Sequence, residues 1–227
     1  MKKNNTQKEI LFKQDSNGVL ADVMLPCEAF ELPLIHGVAQ SDKTPNTKNT
    51  MQEKGADFSE DKKHRYRLWR VWDRTLPKAM CIGLNPSNAN AEKNDPTINH
   101  LIAILTRLGF GGFYMTNCYS YVSSDPKVLY TKEASIESEE INWRWLQKTA
   151  IDCDDIIFAW GGFKVVQELQ TDKTIADMFP LAKCFGKNQD GSPMHPMGLM
   201  YSGKLKTAEL ISYSAVSPCI KGNSNGA

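Results

Sequence analysis

The chain has 227 residues, of which 41% are hydrophobic and 23% charged, with a formal net charge of +1. That length fits one catalytic domain with tails, and the near-neutral total neither demands nor excludes nucleic acid, since a local basic patch can hide inside it. No apolar run approaches the roughly 18 residues of a membrane span, and the polar start, residues 1–7, does not read as a signal peptide, so a cytoplasmic protein without membrane contact is expected.

Residues 1–60 read as an N-terminal extension. An Asn17-Gly18 step between apolar stretches predicts a hairpin over residues 10–25. Residues 41–59, rich in Lys, Thr and Asn, predict a mobile linker. Residues 61–216 carry the organised pattern of one α/β domain. Residues 65–72 alternate large and charged side chains, as a half-buried edge strand does. Residues 78–84 predict a buried strand that ends at Asn85-Pro86-Ser87. Asp95 and Pro96 open a helix to about Leu108, as cap and first-turn residue, and residues 109–112 stop it. A second strand is predicted over residues 113–119 and a helix over 138–153. A third buried strand covers 155–160 and stops at Gly161-Gly162. Residues 163–169 look helical, 181–185 predict a fourth strand, and 186–196 a loop. Residues 217–227 read as a frayed tail.

Strands alternating with helices imply a mostly parallel sheet covered on both faces. Ligands of such sheets bind beyond the carboxyl ends of the strands. Six cysteines (Cys27, Cys81, Cys118, Cys153, Cys184, Cys219) form no Cys-x-x-Cys pair. They read as reduced structural thiols, with no iron–sulfur cluster, metal or cofactor expected.

The strand-end loops hold the candidates. His195 lies between Pro193 and Pro196, and a neutral imidazole there can donate a hydrogen bond to a developing anion. His36, His64 and His100 read as structural or exposed. Asn85 supports a turn or holds a water through its amide; it does not titrate, so positioning is its share. Asn117 offers a donor and an acceptor in one plane, suited to a nucleobase edge, or ties two loops together. Trp160 is either a core ring or a base platform. Gly161 and Gly162 allow a backbone to approach a phosphate. Asp95 reads first as a helix cap and second as a catalytic group. Seven Lys or Arg against one acid between Lys62 and Lys78, with Arg65 and Arg67 among them, make either a solvated edge or a phosphate-contacting strip.

Gly83-Leu-Asn-Pro-Ser87, Asn117, Ala159-Trp-Gly161 and His195-Pro196, in this order, resemble the uracil-DNA glycosylase superfamily. More closely, residues 65–72, Leu84 to Ser87, Asp95 to Thr97, Trp160-Gly161 and Gly191 to Pro196 resemble a bacterial and phage family known as a domain of unknown function, over about 62–200. The superfamily resemblance implies a three-layer sandwich with a short, mostly parallel central sheet. It also implies a base-flipping hydrolase of the N-glycosidic bond. By that resemblance Asn85 holds the attacking water, Asn117 binds the pyrimidine edge and His195 stabilises the departing base. Met197 would lie where the family's intercalating wedge follows His-Pro. The strict uracil enzymes carry an aspartate at the position of Asn85 and a tyrosine at that of Ser87. The small Ser87 leaves room beside carbon 5, which implies a modified pyrimidine as substrate and a role in defence against phage with modified DNA. The expected partner is DNA containing a modified or damaged base, bound by a monomer. Two other readings stand beside this one: a hydrolase of free nucleosides or nucleotides, and a binding module for a modified base or nucleotide that does not cleave it.

Overall fold

A computed structural model of the chain describes residues 35–38, 51–87, 89–131 and 137–213, with backbone alone at 35–38 and 137–139. The hairpin expected over residues 10–25 and the tail over 217–227 lie outside these residues. Strands β1 (Ile35–Val38), β2 (Glu53–Phe58) and β3 (Arg65–Val71) pair successively and antiparallel. Strand β4 (Lys78–Gly83) is followed by helix α1 (Pro96–Arg107) and strand β5 (Gly112–Asn117). Helix α2 (Glu137–Ala150) leads to β6 (Asp155–Phe158). Helices α3 (Lys164–Glu168) and α4 (Thr171–Met178) lead to β7 (Lys183–Cys184), and helix α5 (Pro196–Tyr201) to β8 (Ile211–Ser212).

Among the described residues the strands form one eight-stranded sheet, in the order β1-β2-β3-β5-β4-β6-β7-β8. The expected α/β class holds, but the sheet is neither short nor mostly parallel. Its centre, β5-β4-β6-β7, is parallel, and every other pairing is antiparallel. The connection from β3 to β4 is too short to hold a crossover helix, so β3 turns back and pairs antiparallel with β5.

β4 shows why the centre is buried on both faces. Ala79 and Cys81 face one cluster, where Ile98, Leu101, Ile104 and Leu105 of α1 cover them. Met80 and Ile82 face the other, under Leu146 of α2, Val165 and Val166 of α3 and Ile175 of α4. Successive side chains of a strand point to opposite faces, so an unbroken apolar run is the pattern such a strand requires. Cys81, Cys118, Cys153 and Cys184 carry free thiols, and burial pushes the pKa of each upward. Asp95 caps α1 as expected, its Oδ1 accepting from the Ile98 N–H at 2.9 Å. Among the described residues no helix is long and apolar enough to cross a membrane.

Two expectations at the N-terminal side are corrected. The linker expected over 41–59 contains β2, so the sheet begins inside the supposed extension. The strand 65–72 is not an edge, because β2 covers it. Its charges are resolved internally. Arg70 is 1% exposed, and its guanidinium donates to Asn94 Oδ1 and to the carbonyls of Trp69 and Asn90. Arg67 pairs with Asp57, which is 0% exposed. The Arg67 guanidinium also packs over the rings of Trp69, Tyr114 and Trp145. Arg67 is therefore a structural ion pair with an aromatic cage, not a contact to a phosphate backbone.

The Asp57–Arg67 pair joins β2 to β3. Asp57→Ala strands the guanidinium in that cage and should lower stability by about 2–4 kcal/mol, below the full cost for a wholly buried pair because Arg67 keeps some solvent contact. A fall in the urea midpoint with unchanged slope is expected. An unchanged midpoint would restore the linker reading of this segment.

Candidate functional site

The register of the parallel strands sets their carboxyl ends level. Gly83 of β4 stands beside Asn117 of β5, and the Ala159 N–H donates to the Ile82 carbonyl across to β6. The loops leaving these ends, with the loop after β7, enclose a crevice of about 430 Å³. That size suits a small-molecule or base-sized ligand. Its wall includes Asn85, Ser87, Asn117, Gly161, Gly162 and His195. Met197 and Arg65 also line it, whereas Trp160 and Arg67 do not.

Asn85 is held by the loop that follows β5. Its Nδ2 donates to the Ser123 carbonyl at 2.8 Å, with longer contacts to the carbonyls of Pro86 and Tyr121. Three acceptors around one nitrogen fix which way the amide points. The Oδ1 receives no hydrogen bond from the described residues and remains as an acceptor on the crevice wall.

Asn117 is 1% exposed, and both its Oδ1 and its Nδ2 are buried without a partner. Leaving such an amide unsatisfied costs about 1–3 kcal/mol. Room for it comes from Gly83, where a Cβ would stand 3.0 Å from Asn117 Oδ1 and 2.4 Å from Met115 Cε. The Asn117 carbonyl is engaged, since Asn142 Nδ2 donates to it and to that of Cys118.

The Trp160-Gly161 turn acts through its backbone. Trp160 is 1% exposed and packs against Phe158 and Tyr213, so it anchors the core and is not a platform for a base. Gly161 has φ +83°, and a Cβ there would stand 3.2 Å from His195 Cβ. Its N–H donates to the Pro193 carbonyl, which ties the His195 loop to the end of β6.

His195 caps α5. The Met197 N–H donates to His195 Nδ1 at 3.2 Å, which makes Nδ1 the acceptor and leaves the ring proton on Nε2. Burial pushes its pKa down from 6.5 to about 4; Asp95 opposes that shift and His100 adds to it. The imidazole is therefore neutral at physiological pH, with an Nε2–H to donate.

Arg65 lies in the wall, 3% exposed, with Nη1 donating to the Ala89 carbonyl and Nε without a partner. Burial pushes its pKa down to about 10, with Asp95 opposing and Arg70 adding, so it stays charged. A group this deep is no surface contact for a DNA backbone. Several wall residues were not singled out as ligand contacts in the sequence, among them Phe163, Asn188 and Ser123. Phe163 follows the Gly-Gly turn and is 41% exposed, and an aromatic placed just after a strand-end glycine was the available signal. Among the described residues no group of three or more His, Cys, Asp or Glu is placed to hold a metal.

Residues 65–197, more than half of the chain, match the model of a family described as a protein of unknown function, DUF1643. No curated protein and no solved structure matches the chain.

The His195 geometry makes a pH prediction. Its folded pKa lies below the ordinary value, so the native state binds fewer protons than the unfolded chain between about pH 6.5 and 4. The stability tied to the neutral ring is complete above that window and is lost as pH falls through it. NMR of the ring should show protonation only near pH 4, and His195→Asn should flatten the loss of stability in acid. A midpoint near the ordinary value of 6.5 would show that the ring is solvated.

Proposed function

Since the chain belongs to the DUF1643 family, whose description names no activity, we propose from the crevice that it is a DNA glycosylase of the uracil-DNA-glycosylase type. On this reading it hydrolyses the N-glycosidic bond of an extruded 5-substituted pyrimidine. The helices on both faces of the sheet support a three-layer architecture of that type, and the parallel strand ends at its centre carry the loops on which the resemblance rests.

One observation carries the reading. Asn117 borders a base-sized crevice, and its amide keeps a donor and an acceptor buried without any partner. A pyrimidine edge has the complementary pair. Binding it offsets a cost that the empty protein already bears, and a ligand lacking the match leaves the amide unpaired. Asn85 Oδ1 orients a water toward the sugar. His195 Nε2–H donates to the base oxygen on which negative charge grows as the bond to C1′ lengthens. A neutral donor suits this role because it needs no proton uptake from solvent. Ser87 lines the crevice with a short side chain, which leaves space for a substituent at carbon 5. Such a base occurs in modified phage DNA, and removing it would serve defence.

A second reading, a hydrolase of free nucleosides or nucleotides, is favoured by the inward arginines of β3. They remove much of the basic strip expected to track a DNA backbone. Binding to a modified duplex that weakens steeply with salt supports the first reading.

Duplexes carrying uracil, mismatched thymine, 5-hydroxymethylcytosine or its glucosylated form separate these cases. Release of a 5-substituted base, identified by mass, with an abasic site left behind is the expected result. Uracil release alone would overturn the open-pocket argument, and turnover of free nucleosides without DNA would select the second reading. His195→Ala should lower the release rate by ~10²–10³ with duplex affinity little changed. A variant that binds and releases as the wild type does would remove His195 from the chemistry.

Asn117→Ala is expected to separate stability from function. It should abolish base release while leaving thermal stability unchanged or raised, because the amide contributes no bond to the fold. A marked loss of stability with release intact would make Asn117 structural.

A further inference from the structure

The proposed chemistry leaves one role empty. Asn85 can hold a water but takes no proton from it, because an amide does not titrate near neutral pH. A carboxylate lines the same crevice: Asp95, the one acidic residue among the described residues of its wall. The sequence explains Asp95 as a helix cap, and capping uses only part of it. Its Oδ1 accepts from the Ile98 N–H at 2.9 Å and its Oδ2 from Ser87 Oγ at 2.9 Å. A carboxylate has about four lone-pair sites, so about two stay open.

Both of its bonds orient it. The cap fixes it at the start of the twelve-residue helix α1. The Ser87 hydroxyl belongs to the loop that carries Asn85, two residues away, and ties the carboxylate to the water-holding side. Its charge is felt by His195 and by Arg65, both on the crevice wall. Asp95 also remains half-buried, so it is shielded from bulk water without being closed off from the crevice.

We infer that Asp95 is the catalytic carboxylate of this site, an inference that rests on the glycosylase reading. The bond from C1′ to the base nitrogen breaks, and its electron pair leaves with the base. The water held by Asn85 forms the new C1′–O bond and gives one proton to the open lone pair of Asp95. The carboxylate's negative charge stabilises the oxocarbenium character of C1′ meanwhile, and the proton passes to the base anion on release. The carboxylate that the strict uracil enzymes place at position 85 is thus supplied from the start of the next helix.

Two variants test this without removing the cap, since Asn and Ser both cap helices as well as Asp does. Asp95→Asn and Asp95→Ser should each retain folding by circular dichroism and duplex binding. Each should lose roughly a hundredfold or more of the single-turnover rate on whichever modified duplex the wild type cleaves. Wild-type release accompanied by release within about threefold in a folded Asp95 variant would overturn this inference and leave the glycosylase reading standing. No release from any modified duplex by the wild type would overturn the reading and the inference together.

Discussion

The parallel register of β4 between β5 and β6 is the constraint on which the site depends. Because Gly83 pairs with Asn117, and Ile82 with Phe158, three strands end at one level. Side chains far apart in the chain then meet without any loop reaching across the sheet. The same register decides what residue 83 can be. A methyl group there would meet the end of the Met115 side chain and stand 3.0 Å from Asn117 Oδ1, so the glycine leaves both side chains their room. The crevice comes from strand length and register, and its polar groups sit at or just beyond the strand ends.

Each polar residue is fixed by hydrogen bonds that leave another of its polar atoms unpaired. The Asn85 nitrogen is spent on the loop after β5, and its oxygen remains. The His195 Nδ1 is spent on the start of α5, and Nε2 remains. The Asn117 carbonyl is spent on Asn142, and its whole side-chain amide remains. Groups fixed in this way lose little freedom when a ligand arrives, which is the physical content of preorganisation. The unpaired amide is the cost, and the buried strand around it bears that cost.

The sequence made the site more legible than the sheet. Apolar runs ending in Asn or Trp-Gly mark strand ends by composition alone, and Asp95-Pro96 and His195-Pro196 mark helix starts through backbone chemistry. Those signals are local. β2 escaped because Glu-Lys-Gly-Ala-Asp-Phe has no apolar alternation; its buried members are a glycine, an alanine and an aspartate paired with Arg67. β7 and β8 have two residues each, too few for a period. The Trp160 role turns on which face its ring takes. Period-two reasoning puts it with Phe158 and Ile156, on the core side that faces α3 and α4, and against a platform role.

The arginines of β3 show how a charge pattern misleads when partners are distant in sequence. Seven cations in seventeen positions invite a surface reading. The loop between β4 and α1 answers two of them: Arg65 donates to the Ala89 carbonyl, and Arg70 to the Asn90 carbonyl and Asn94 side chain. That loop carries Asn85, Ser87 and Asp95. Its backbone has few ladder bonds of its own, and two buried guanidinium groups act as struts beneath it. A fork of planar donors can hold several carbonyls at fixed angles, which a lysine cannot, so these positions require arginine specifically. The charge is therefore part of the loop's scaffold. Any attraction for a polyanion has to come from the exposed cations, and the buried pair contributes by bracing the loop that carries Asn85 and Asp95.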